Sequence, residues 1–287
     1  MQLRHFAGYG GVSLAAAVGG DEARPPVILL HGGGQTRHSW KRAAQELLRQ
    51  GYYVICPDLR GHGDSAWAED GNYRLEAFAA DVLAIAATLR QRPVLIGASL
   101  GGIAALLAIG ESSEPVASAL VLVDVVVRIE AEGVRNIVSF MSSKPQGFAN
   151  IEEAADAVAA YNPQRPRSGD HSGLMKNLRL RADGRLHWHW DPKFIQPEYR
   201  VGAIHYRQRL DAGVLRVRVP TLLVRGALSD IVSEEGAAEL QRAIPGCELV
   251  DVAGAGHMVA GDRNDVFNAA ILDFLKRRAA KTETADS

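Results

Sequence analysis

Four short stretches of this chain carry almost nothing but apolar side chains: residues 27–30, 53–57, 94–97 and 119–124. A strand with one wet face alternates apolar and polar residues. A run without alternation suits a strand covered on both faces, as in a parallel sheet held between helices. Helical signals fall between the runs. Residues 40–50 read as a helix stopped at Gly51. Leu75, Phe78, Ala79, Val82, Ala86 and Leu89 recur at i, i+3, i+4, i+7, i+11 and i+14, the mark of an amphipathic helix. Residues 100–109 form a third. Ahead of them, residues 3–6 and 12–17 flank a Gly-rich turn and predict a hairpin.

The alternation halts after Asp124 and resumes with a strand at 220–226, a helix at 233–243, a strand at 247–252 and a helix at 265–277. The stretch between is polar, helix-rich and rich in Arg and aromatic residues. The expected fold is therefore α/β: a mostly parallel eight-stranded sheet with helices on both faces. Residues 1–124 and 214–287 form its core domain, and residues 125–213 form an inserted helical cap or lid. Reactive groups in such sheets lie at the carboxyl ends of the strands. An insertion leaving one of those ends would stand over the site.

The strongest chemical signal is Gly97-Ala98-Ser99-Leu100-Gly101-Gly102, which follows one predicted strand and opens a helix. Small residues let strand and helix approach around a tight turn that lifts the serine hydroxyl over the sheet end. Ser99 is the candidate nucleophile. His31-Gly32-Gly33-Gly34 closes the run at 27–30, and its glycines can turn backbone N–H groups toward an oxyanion. The candidate donors are Gly33 or Gly34 together with Leu100. His31 reads as a buried structural histidine. His257, in Gly254-Ala-Gly-His-Met258, sits just past the last strand, where a general base must stand to reach Ser99. Two carboxylates compete to orient it. Asp230 follows the strand at 220–226 and is favoured by the chain order Ser, Asp, His. Asp124, one strand earlier, is the alternative acid.

These pieces, together with Asp58-Leu-Arg-Gly-His-Gly-Asp-Ser65 and Gly226-Ala-Leu-Ser-Asp230, resemble the capped, single-chain α/β-hydrolases. The resemblance covers residues 27–124 and 215–276 well, and the cap only in position. It implies a serine esterase that cleaves carboxylic esters of small to medium size through an acyl-enzyme, with no metal or organic cofactor. It gives the 58–65 loop a structural part. Relatives that open epoxides or remove halides carry aspartate at the elbow, so Ser99 argues against both reactions. C–C bond hydrolysis, cofactor-free peracid formation and non-catalytic binding of a small ligand are the alternatives on the same scaffold.

In the cap, Phe140, Met141, Trp188 and Trp190 are candidates to line an apolar substrate pocket, against the alternative that they pack the cap's own core. His187, His189 and Asp191 alternate on an extended segment, but three ligands without a fourth make a poor metal site. Arg165, Arg167, Arg179, Arg181 and Arg185 read as a solvated face rather than a grip for a substrate carboxylate.

Composition narrows the partners. With 32 Lys and Arg against 33 Asp and Glu, the net charge is −1, which gives no electrostatic footprint for nucleic acid or an anionic membrane. No apolar run approaches the roughly 18 residues of a membrane span. Two cysteines, Cys56 and Cys247, are too few for a disulfide framework and lie in apolar runs. The chain starts with no apolar leader, so a cytoplasmic monomer or homodimer acting on a small molecule is the expectation.

Overall fold

The computed structural model describes residues 1–161, 170–196, 203–257 and 264–285. The opening hairpin forms as predicted, with β1 (Gln2–Ala7) antiparallel to β2 (Ser13–Gly19). β2 in turn pairs antiparallel with β4 (Tyr53–Pro57). From β4 onward every pairing is parallel, through β3 (Pro26–Leu30), β5 (Val94–Ala98), β6 (Ala119–Val123), β9 (Thr221–Gly226) and β10 (Glu248–Val252). The eight strands run β1-β2-β4-β3-β5-β6-β9-β10 across the sheet.

Both faces of this sheet are covered, which is why its central strands lack alternation. Every residue of β3, β4 and β6 is buried. Successive side chains point to opposite faces, and the two sets enter separate cores. Ile28, Leu30, Ile55, Leu120 and Leu122 pack with Phe78 and Val82 of α2 (Leu75–Ala87) and Leu107 of α3 (Leu100–Glu111). Val27, Leu29, Val54, Ile96 and Val121 pack with Leu47 of α1 (Lys41–Arg49) and with Phe267, Ile271 and Phe274 of α9 (Asn264–Ala285). Burying one such aromatic stabilises the fold by about 1.5–3 kcal/mol. Helix α8 (Glu234–Ala243) joins the first core. Its N-cap Ser233 accepts from the Gly236 N–H at 3.3 Å, and Glu234 and Glu235 sit in its positive first turn.

Between β6 and β9 the chain forms α4 (Ala131–Ser142), α5 (Ile151–Tyr161), α6 (Ser172–Met175) and α7 (Ala203–Val214). It also forms a short antiparallel hairpin, β7 (Leu178–Leu180) with β8 (Leu186–Trp188), turning through Gly184 at φ 75°. This segment has its own small core of Met141, Phe148, Ala154, Leu178, Trp188 and Trp190. It is bolted to two core loops. The Tyr73 hydroxyl donates to Asp191 at 2.6 Å, the Asp191 N–H to the Gly61 carbonyl at 2.9 Å, and Arg179 to Asp64 at 2.8 Å. Among the described residues no helix is long and apolar enough to cross a membrane.

Candidate active site

Between β5 and α3 the backbone turns through Ser99 at φ 46° and ψ −116°, a region that non-glycine residues rarely enter. The neighbouring sequence leaves it little choice. A methyl group on Gly97 would lie 2.4 Å from the Gly101 carbonyl oxygen, and one on Gly101 would lie 2.4 Å from that of Leu30. Only glycines let α3 start this close to the sheet. Ser99 is then fastened on both sides: its N–H donates to the Val123 carbonyl at 3.2 Å, and its carbonyl accepts from Ile103 at 2.9 Å.

The register pairs Ala98 with Val123, so the next residue along β6, Asp124, stands beside Ser99. Asp124 is also left-handed, at φ 49°, and is completely buried. Three donors compensate its charge. The Gly226 N–H reaches Oδ1 at 2.9 Å, while the Ser229 hydroxyl and His257 Nδ1 reach Oδ2 at 2.5 and 2.7 Å. A carboxylate only accepts, so Nδ1 carries the proton of this bond, and in the neutral imidazole Nε2 then keeps its lone pair. Gly226 also makes room for the histidine loop, because a methyl group there would lie 2.2 Å from the Gly256 carbonyl oxygen.

The structure thus pairs His257 with Asp124 and not with Asp230, the acid that chain order favoured. The Asp230 side chain is exposed, and among the described residues its carboxylate takes no hydrogen bond. It borders Tyr161, whose hydroxyl is pushed up to about 12, first by burial and then by the Asp230 charge. The loop after β9 does reach the buried carboxylate, but through Ser229. The available signal was the charged residue that directly follows the wholly apolar run at 119–123.

The glycine loop needs a second correction. A methyl group on Gly32 would touch Ser99 Cβ at 3.4 Å, which puts the loop against the elbow as expected. Gly34 is not a free donor, however: its N–H is given to His62 Nε2 at 3.1 Å, and its carbonyl faces His189 Nε2 at 3.3 Å. Gly33 and Leu100 remain. Leu100 opens α3, so its N–H has no intrahelical acceptor, and the Gly33 N–H has no acceptor among the described residues.

Three buried imidazoles hold this loop. His31 donates from Nδ1 to the Gly32 carbonyl at 2.8 Å and accepts from the Leu59 N–H at 2.9 Å. His62 donates to the Arg60 carbonyl at 2.9 Å, and His189 accepts from the Gly63 N–H at 2.7 Å. Each ring uses one nitrogen as donor and the other as acceptor, which requires the neutral form. Burial drives His31 down to about 4, His62 to about 3 and His189 to about 2, with neighbouring imidazoles adding to the fall in the last two. In the unfolded chain all three take up protons below about pH 6.5. Their contribution to stability is therefore complete above that pH and is lost as the pH falls from about 6.5 toward about 4 for His31, about 3 for His62 and about 2 for His189. The slope approaches about 1.4 kcal/mol per pH unit for each ring. Urea unfolding at about pH 7.5 and about pH 5 measures it; equal stabilities at the two values would count against this account.

The 58–65 loop is held by its own hydrogen bonds and an ion pair. Buried Asp58 accepts the Arg37 N–H at 2.6 Å, the Asp64 N–H at 2.9 Å and the Arg37 guanidinium. Of the candidate pocket residues, Met141 and Trp190 reach the glycine loop, at 3.2 and 3.3 Å from a methyl group placed on Gly34. Phe140 and Trp188 turn inward instead: Phe140 stacks on Tyr161 at 4.3 Å, and Trp188 packs edge-on against Phe148 at 5.0 Å. Phe194, which the sequence marked only as an aromatic, lies 3.4 Å from a methyl group placed on Gly33. It rides a short turn (Pro192–Ile195) begun by Pro192.

No cluster of three or more metal-ligating side chains occurs among the described residues. His187 is bonded to Asp183 at 2.8 Å. Arg179 is spent on Asp64, Arg185 on the Gln146 and Gly147 carbonyls, and Arg181 on the Trp67 ring. Arg165 and Arg167 lie outside the described residues.

The chain resembles known proteins in sequence and fold. The model of the alpha/beta hydrolase fold matches residues 25–263. Esterase Rv0045c of Mycobacterium tuberculosis is 30% identical over 250 residues, covering 83% of this chain and 78% of that protein. A structure of that esterase superposes with a TM-score of 0.76 at 25% identity, covering 96% and 92% of the two chains. The 3-hydroxybutyrate-oligomer hydrolase of Cupriavidus necator is 28% identical over 253 residues, 83% of this chain and 84% of that one. In fold alone, E-2-(acetamidomethylene)succinate hydrolase reaches a TM-score of 0.82 at 23% identity, covering 96% and 99%. With a strained serine at the strand–helix turn and a family match across most of its length, the chain belongs to the α/β-hydrolase fold family.

Proposed function

We propose that this hydrolase is a serine esterase using Ser99, His257 and Asp124. The observation that carries the reading is the buried Asp124–His257 pair, set one strand from a serine forced into a left-handed turn. His257 Nε2 takes the Ser99 proton as the oxygen attacks an ester carbonyl. Asp124 fixes the ring and offsets its charge while Nε2 holds that proton. The carbonyl π electrons move to oxygen, where the Gly33 and Leu100 N–H groups receive them. One such donor is worth about 100- to 1000-fold in rate. The intermediate collapses, its C–O bond breaks, and His257 returns the proton to the departing alcohol. Water then repeats the sequence on the acyl-enzyme and releases the acid. No step calls for a metal or organic cofactor.

The insertion acts as a cap in this reading. Met141, Trp190 and Phe194 give the glycine loop an apolar wall, which favours small to medium esters with an apolar acyl or alcohol group. The esterase and oligomer-hydrolase names of the relatives agree with ester chemistry. Both cysteines are buried and free, in keeping with a reducing, cytoplasmic setting.

A fluorophosphonate probe and a panel of p-nitrophenyl esters of graded chain length test the proposal. One adduct per chain, located on Ser99 by intact mass and peptide mapping and absent in His257→Ala, is the expected result. Folded protein that hydrolyses no ester and takes no label would make the scaffold a small-ligand receptor instead.

A further inference from the structure

Ser229 lies outside the proposed triad, and bonds within its own loop account for only part of what its hydroxyl does. A hydroxyl has one proton to donate and two lone pairs. In Ser229 all three are committed. The Ile231 and Val232 N–H groups each donate to Oγ at 3.1 Å, and the proton goes to Asp124 Oδ2 at 2.5 Å. With both lone pairs engaged the hydroxyl cannot rotate away, so its direction is set by the backbone of the loop after β9. The same Oδ2 receives His257 Nδ1 at 2.7 Å, and Oδ1 is held by the Gly226 N–H at 2.9 Å. The loop therefore grips the carboxylate at both oxygens and leaves Oδ2 one acceptor direction, which the imidazole takes.

We propose that Ser229 is a positioning residue for the Asp124–His257 pair: its locked hydroxyl sets the plane of the carboxylate and, through it, the orientation of the base. A buried carboxylate with one fewer donor can turn about its χ2 or admit water, and either change misaims Nε2 at Ser99. Ser229 follows β9, which flanks β6 on the side opposite β5 and its elbow, so its loss is expected to act on the chemical step and not on substrate binding. A serine needed only to shape its own loop would act through the two N–H bonds it accepts and leave the His257 proton undisturbed.

This inference rests on Ser99 being the nucleophile, so one measurement is independent of turnover. The His257 Nδ1 proton, bonded to a buried carboxylate, gives a far-downfield proton resonance in the resting protein. In Ser229→Ala that resonance is expected to move upfield and exchange faster with water, and in Ser229→Thr it is expected to stay. In parallel, kcat on the best p-nitrophenyl ester and the rate of fluorophosphonate labelling are expected to fall about ten- to hundredfold in the alanine variant, the range for losing a hydrogen bond to a charged group. KM should stay near its parent value, and the threonine variant should recover most of the rate. Should the alanine variant not fold, Ser229→Cys fills the same space with a weak donor and carries the same expectation. An alanine or cysteine variant with the parent's resonance and labelling rate would overturn the proposal. Parent protein that shows the resonance but takes no label would overturn the esterase reading and leave the positioning role to the resonance alone.

Discussion

Ser99→Ala is expected to lose ester turnover by a factor on the order of 10⁴ or more in kcat, the scale of removing a nucleophile from an intact triad. Its fold should survive, since among the described residues the hydroxyl makes no hydrogen bond that holds the elbow; the Ser99 backbone does that work through Val123 and Ile103. Ser99→Gly separates activity from stability more sharply. At φ 46° and ψ −116° a side chain costs about 1–3 kcal/mol in strain, which glycine relieves. Glycine brings back about 0.5–1 kcal/mol of backbone entropy lost on folding. The glycine variant should therefore be inactive yet more stable than the parent by about 1 kcal/mol, a rise of roughly 2 °C in Tm for a chain of this size. Ester assays beside differential scanning calorimetry read both. Undiminished hydrolysis by either variant would remove Ser99 from the mechanism.

The same strain explains why the elbow could be read from the sequence. Gly97, Gly101 and Gly102 are local, and each is dictated by a close approach that occurs wherever a helix starts against a strand end. The apolar runs were legible for a similar reason, since β3, β4 and β6 are buried on both faces whatever the rest of the chain does. Other features of the site depend on partners far away in sequence. Whether Asp124 or Asp230 meets His257 is decided by the register of β5 on β6 and by where Ser229 points, neither of which appears in chain order. The Gly34 N–H is taken by a ring 28 residues on, and the Gly34 carbonyl faces one 155 residues on. Phe140 and Met141 are adjacent on α4, yet one stacks inside the insertion and the other reaches the glycine loop. Composition marks both as apolar, and only the docking of the helix separates them.

Exchanging the two competing acids is the sharpest test of what the structure added. Asp124→Asn should lower kcat/KM by about 10³- to 10⁴-fold, whereas Asp230→Asn should stay within about twofold, since an exposed side chain with no bonded partner among the described residues has little to lose. The cause of the first effect lies in the count of donors. Three donors converge on Asp124: Gly226 on one oxygen, Ser229 and His257 on the other. An asparagine offers one acceptor and one NH₂ group. If its oxygen faces Ser229 and His257, its NH₂ meets the Gly226 N–H, two donors head-on in a buried site. If it flips, the NH₂ faces His257 and forces the proton from Nδ1 to Nε2, where the imidazole can no longer accept from Ser99. Either choice buries an unmade hydrogen bond, which costs about 1–3 kcal/mol, so Asp124→Asn should also melt lower than the parent while Asp230→Asn should not. Steady-state kinetics and thermal melts of the two variants decide it. An Asp230→Asn loss as deep as that of Asp124→Asn would return the acid to the loop after β9 and require that loop to swing inward during turnover.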